Sequence, residues 1–228
     1  QMFARFWRFD ARAALAVTRL AVPISATALA ESGLFAASAF MMGWLGHLEL
    51  AAHGIVLQLA ALSFMVHMGL SQAGTVRAGK AFARQDWPSV RRTAWVTMGL
   101  SSVAAVVAIL FFLTTPQFLI RAFLDPQDPL TPEILRIGTL LLMLAALFQF
   151  VDAAQVVALS LLRGLQDTKV PMWIAAISYW LIGLPVSYIL GFWFAFQEAG
   201  IWMGLVFGLG CAAFLLWRRF FRLAWRSA

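Results

Sequence analysis

Six stretches of this chain run almost free of formal charge: 20–48, 50–76, 93–120, 137–162, 170–197 and 199–217, broken only by Glu31 in the first and Asp152 in the fourth. Each is at or near the roughly 20 residues that an α-helix needs to cross a bilayer. Inside hydrocarbon every backbone amide must be paired within its own segment, so apolar runs of this length are helices. A membrane barrel would show segments of about 10 residues with alternating character, and none occur. The fold class expected is therefore all-α integral membrane, with helices near 18–45, 50–76, 93–120, 134–163, 169–195 and 199–219. Only 12% of the residues are charged, against roughly 25% for a soluble domain, which excludes an ordinary globular reading.

Basic residues orient the bundle. Fifteen of the 17 Lys and Arg fall before the first helix, between the second and third, between the fourth and fifth, and after the sixth; only Arg121 and Arg136 lie on the opposite side. The positive-inside rule then expects both termini in the cytoplasm. The net charge of +7 reflects this asymmetry and contact with anionic membrane lipid, with no sign of nucleic acid as a partner. Residues 1–17 mix arginines with Phe3, Phe6, Trp7 and Phe9, as an amphipathic segment lying on the cytoplasmic interface would. The remainder, 18–225, reads as one six-helix transmembrane lobe without an internal repeat. Cys211 stands alone and reads as a small packing residue.

Glu31 and Asp152 are the residues that a membrane helix does not carry without reason. A carboxylate at bilayer depth costs several kcal/mol unless it is protonated, paired or bound to a cation. Glu31 follows Arg19 by about 18 Å of helix and Asp152 precedes Arg163 by about 16 Å, at 1.5 Å per residue. Both acids thus reach similar depth, near the middle of the membrane, from helices running in opposite directions. The competing reading is a structural hydrogen bond to a neighbouring helix. Gln155, three residues from Asp152, either lines the same cavity or bonds across helices. Phe148, four residues before Asp152, is either a cavity wall or core. Gln58, His67, Tyr179 and Tyr188 are further polar groups within the helices. His67 is expected to pack or hydrogen-bond near the cytoplasmic end of its helix, and Pro185 marks the best site for a bend.

No phosphate-binding loop, metal-ligand cluster or nucleophile–base set appears. An ATP-driven pump, an enzyme and a cofactor are not expected. Transport driven by an ion gradient remains, beside a non-transporting scaffold whose acids pair with a partner's helices.

Ordered motifs narrow this further: Arg19-Leu-Ala-Val-Pro23 ahead of Glu31, Gly43-Trp-Leu-Gly46, Leu50-Ala-Ala-His53, Phe64-Met65 with Gly69, Val76-Arg-Ala-Gly79, Leu162-Arg-Gly164 with Asp167-Thr168, and Ser178-Tyr-Trp180 with Gly183-Leu-Pro185. In this order and spacing the chain resembles the multidrug and toxic compound extrusion (MATE) family, NorM type, over essentially its whole length. The resemblance implies the second lobe of a two-lobe transporter, with an N-terminal six-helix lobe as its partner. It implies an antiporter of a bacterial inner membrane that exports organic cations against Na⁺ or H⁺. A lipid-linked oligosaccharide flippase of the same superfamily is the neighbouring alternative. By resemblance Glu31 and Asp152 correspond to the acids that hold the coupling ion, Na⁺ included, and the substrate cation; Gln58 is a further candidate for the site, beside Phe148 and Gln155, which helical spacing puts near Asp152. Family members often carry Tyr at the position of Phe148 and Asn at that of Gln58. The missing phenol hydroxyl removes one oxygen ligand from a sodium site.

Overall fold

The structure is a computed structural model that describes residues 11–226; most of the amphipathic segment expected over 1–17, namely residues 1–10, lies outside them. Among the described residues six helices are long and apolar enough to cross a membrane: Ala11–Leu45, His47–Ala83, Trp87–Thr114, Thr131–Gly164, Lys169–Trp193 and a last one, Gln197–Arg226. Among the described residues there is no strand. The helices extend past the uncharged windows because charged side chains at helix ends can reach the headgroups. The second, for example, continues through Arg77 and Lys80 to Ala83. The run 93–120 is divided instead, because Pro116 opens a separate short helix, Pro116–Arg121. Proline suits a first helical turn, where no amide donor is needed.

The fourth helix is the axis of the lobe. It packs against the second, third and sixth, and Leu141, Leu142, Ala145, Val157, Ala158 and Leu161 on it are fully buried. The large apolar side chains left outside, among them Phe40, Phe207 and Phe214, face outward from a bundle whose solvent is lipid. Lipid tails are as apolar as leucine, so exposure of these residues is not penalised and contact between helices must come from close packing. Small residues supply it. A Cβ at Gly164 would lie 2.7 Å from the Thr75 carbonyl oxygen. Beside that contact the Thr75 hydroxyl lies 3.0 Å from the Ser71 carbonyl of its own helix and 2.9 Å from the Ser160 carbonyl of the fourth.

The fifth and sixth helices meet along a second seam of small residues. Gly200, Gly204 and Gly208 on the sixth face Gly191, Ser187 and Gly183 on the fifth, in antiparallel order. The two rows share a four-residue spacing, so three backbone contacts stack along one line. The fifth helix is wound unevenly to do this. It is α-helical over Lys169–Ala176 and Leu184–Tyr188, and widens to i→i+5 pairing over Ile177–Gly183 and Ile189–Trp193. The Leu184 amide reaches back to the Tyr179 carbonyl, and Pro185, next in line, has no amide to continue an α-turn. Widening accommodates the ring that would otherwise meet the carbonyl four residues earlier.

Connections are short and capped. Asp86 accepts from the Ser89 amide at 3.0 Å and caps the third helix, with Pro88 in its first turn. The outer loop is set by Asp125 and Asp128, which accept from the amides of Gln127 and Leu130. At the end carrying most of the arginines, Asp167 accepts from Arg219 at 2.5 Å and joins the fourth–fifth turn to the sixth helix.

Candidate ion and substrate site

Three helices each present one stripe to a cavity of about 430 Å³. The first contributes Glu31 and Phe35, four residues apart; the second contributes Gln58; the fourth contributes Phe148 and Asp152, again four apart. Four of the five residues expected at the site, Glu31, Gln58, Phe148 and Asp152, therefore share one space. Spacing of four on a helix puts a polar and an aromatic side chain on the same face, so each acid arrives beside its own phenyl wall.

Among the described residues no hydrogen bond or ion pair holds Glu31 or Asp152, although Asp152 is 3% exposed and Glu31 is partly buried. A structural role would require such a partner. Arg163, partly buried at the end of the fourth helix, lies within electrostatic range of Glu31, and Asp152 is also within range of Glu31. Glu31 thus stands between a basic residue on one side and a second acid on the other. Arg163 is more than the boundary marker that its position suggested, because its charge acts on the site without lining the cavity.

Gln155 is placed elsewhere. It is fully buried, outside the cavity lining, and its amide donates to the Tyr179 hydroxyl at 2.6 Å. Three residues of helix turn through about 300°, which leaves Gln155 some 60° off the direction of Asp152 and pointed at the fifth helix. The phenol it engages lies within electrostatic range of Glu31, Asp152 and Arg163. Since that oxygen accepts from Gln155, its own proton is free to be donated. Tyr179 is a site neighbour that its position on the fifth helix alone did not reveal.

The aromatic wall is buttressed from behind. Phe148 meets Phe35 edge-on at 6.0 Å and Trp202 edge-on at 5.7 Å, favoured arrangements for rings. Trp202 donates from Nε1 to His53 Nδ1 at 3.1 Å, and His53 Nε2 lies 3.3 Å from the Ser38 hydroxyl. An indole can only donate, so Nδ1 of His53 accepts and Nε2 carries the proton toward Ser38. The Ser38 hydroxyl donates in turn to the Phe35 carbonyl. Every member of this chain is satisfied, and it ties the first, second and sixth helices to the Phe148 wall. His67 sits in a different setting, between the second and third helices, with Nδ1 2.9 Å from the Ser101 hydroxyl. Among the described residues no group of three potential metal ligands from His, Cys, Asp and Glu comes together.

The likeness to known proteins is extensive. The model of the family described as MatE matches residues 23–189. A protein named probable multidrug resistance protein NorM from Agrobacterium fabrum is 44% identical over 227 residues, covering 100% of this chain and 49% of that protein. Its namesake from Rhizobium meliloti is 44% identical over 223 residues, with 98% and 48% covered. Among solved structures, a MATE P26A mutant superposes with a TM-score of 0.86 at 15% identity, covering 99% of this chain and 50% of that one. The eukaryotic MATE transporter AtDTX14 gives 0.78 at 17%, covering 92% and 47%. These structural likenesses speak for the fold alone. The chain spans about half the length of the relatives it matches. With six spanning helices and a family match across most of its length, this multi-pass membrane chain belongs to the MATE family.

Proposed function

We propose that this lobe forms one wall of a cation-coupled antiporter that exports organic cations in exchange for Na⁺ or H⁺, and that Glu31 and Asp152 carry the exchange. The observation behind this is the pair of carboxylates on one apolar cavity. Two like charges on one low-dielectric cavity repel, and burial costs Asp152 most of its solvation, so any cation that enters relieves repulsion and desolvation together. A proton, a sodium ion or a cationic drug can each do so, and each excludes the others. Competition couples the fluxes provided that the loaded states favour opening to different faces. Gln58 offers a neutral oxygen to the ion, and the Tyr179 hydroxyl a donor near the acids. Phe35, Phe148 and Phe64 give the apolar, loosely shaped surface that suits varied aromatic cations.

The other wall belongs, in this reading, to an N-terminal six-helix lobe. Support comes from relatives about twice the length of this chain, and from an even helix count, which preserves orientation between parallel repeats. Charge asymmetry supports both ends of the lobe in the cytoplasm of a bacterial inner membrane. The flippase alternative is disfavoured, because the cavity lining holds two acids and no Lys or Arg, an unsuitable surface for an anionic diphosphate. The test is efflux of a fluorescent organic cation from cells producing the full-length protein. Glu31→Gln and Asp152→Asn are each expected to cut the rate by at least about tenfold, the scale of a lost charge-assisted contact. Near-normal efflux in both variants would overturn the assignment.

A further inference from the structure

Beyond the cavity, one surface combines charge, aromatic area and a groove. Along a single face of the sixth helix, Phe214, Trp217, Arg218, Phe221, Arg222 and Trp225 line a groove of about 580 Å³. Phe214, Arg218, Arg222 and Trp225 are exposed, while Trp217 and Phe221 are partly buried. We propose that this groove is a binding site for an anionic glycerophospholipid. Its phosphate is held between Arg218 and Arg222, and an acyl chain lies along the aromatic shelf toward Phe214.

The division of labour among the neighbouring arginines carries the inference. Arg219 is committed to Asp167. Arg91, on the third helix, donates to the Ala224 carbonyl at 3.1 Å and sits 5.3 Å above the Trp225 ring. Those two hold the fold together. Among the described residues Arg218 and Arg222 have no acidic partner. One helical turn separates the pair, so both guanidinium groups can converge on one phosphate, the geometry for which arginine is suited.

The shelf is built as firmly as the clamp. Trp217 donates to the Ala154 carbonyl of the fourth helix at 3.0 Å. Phe221 packs on Trp217, on Trp225 and on Trp95 of the third helix, with ring centroids 5.3, 5.2 and 6.1 Å away. From Phe214 to Arg222 the groove rises about 12 Å, from hydrocarbon depth to the headgroup level marked by the arginine cluster. A free phosphate would use the clamp and leave the shelf idle. A zwitterionic lipid would bring a choline group into the same cationic corner. The anionic phospholipid alone uses both parts, and the cytoplasmic leaflet expected at this end is rich in such lipids.

The experiment is native mass spectrometry on the purified, delipidated full-length protein, offered equal amounts of phosphatidylglycerol and phosphatidylcholine with matched chains. Wild type is expected to retain phosphatidylglycerol on the order of thirtyfold better, from two arginines near one phosphate at about 1 kcal/mol each. Arg218→Gln/Arg222→Gln should abolish that preference, whereas Arg77→Gln/Lys80→Gln, equal in charge removed, should leave it. Arg222→Gln alone serves if the double variant does not fold, with an about fivefold loss expected. Preference that survives loss of the two arginines overturns the site, as does an equal fall in the Arg77/Lys80 variant, which would mean bulk charge only. Displacement of the lipid by inorganic phosphate would reassign the clamp to a soluble anion and equally overturn the proposal.

Discussion

Replacing Gly200 by alanine adds one methyl group at the start of the glycine seam, and its cost can be read from the backbone it would strike. A Cβ there falls 2.5 Å from the Gly191 nitrogen, 2.5 Å from the Leu190 carbonyl carbon and 2.6 Å from the Leu190 oxygen. Ordinary contact between carbon atoms is about 3.5–4.0 Å, so the two helices must part by about 1 Å. No side chain can rotate away, because all three obstacles are main chain. Overpacking of this kind costs about 1–3 kcal/mol, and a rigid obstacle places it at the upper end. The separation also reaches Gly204, whose own Cβ would strike Ser187. For a chain of 150–250 residues each kcal/mol moves the melting temperature by roughly 2–4 °C, so a fall of about 6–12 °C is expected. The assay is thermal unfolding in detergent, followed by tryptophan fluorescence or a thiol dye. Gly99→Ala is the matched control, because nothing lies within 4 Å of a Cβ at that position, and it should melt within about 2 °C of wild type. Gly200→Ala melting as high as that control would refute the close approach of the fifth and sixth helices.

Two further outcomes are expected. Tyr179→Phe strands the buried Gln155 amide, at about 1–3 kcal/mol, whereas Gln155→Leu with Tyr179→Phe removes both partners and should recover most of the loss; a double variant no more stable than the single one would contradict the pairing. Asp86, held below the usual carboxylate range by the hydrogen bonds that it accepts from Ser89, caps the third helix when ionised. A depressed value means stabilisation that is present above the ordinary carboxylate pKa and lost as the pH falls through the depressed one. Asp86→Ala should therefore melt below wild type at neutral pH, with the gap closing as the pH is lowered through that range; a gap independent of pH would exclude the charge as its cause.

Much of the lobe was legible because the bilayer allows so few solutions. Uncharged runs of this length leave helices as the only outcome, and Glu31 and Asp152 stood out because nothing else in their segments competes for attention. Phe148 followed from Asp152 by helical spacing, and Gln58 from the resemblance. What stayed hidden depends on the rotation of one helix against another. Gln155 belonged equally to the cavity or to an interhelical bond by spacing, and only the position of Tyr179 decides it. The bond between Trp202 and His53 spans 149 positions of sequence, beyond any local pattern. The row Gly200, Gly204, Gly208 went unread, because its partner row contains a serine and lies on a helix whose turns widen twice. Pro185 hinted at an irregularity there and did not say that it would take the form of wider turns.

Those wider turns bear on how this helix can change length. Each holds one residue more than an α-turn would, which in genetic terms is the footprint of a single inserted codon absorbed where it arose. Loss of one codon within Ile177–Gly183 or Ile189–Trp193 can be taken up by rewinding locally, with both flanking faces kept in phase. The same loss within Leu184–Tyr188 turns the residues between it and the next wide turn by about 100°. Ser187 would then swing off Gly204. Length variation among related chains should accordingly collect in those two windows and spare the five residues between them.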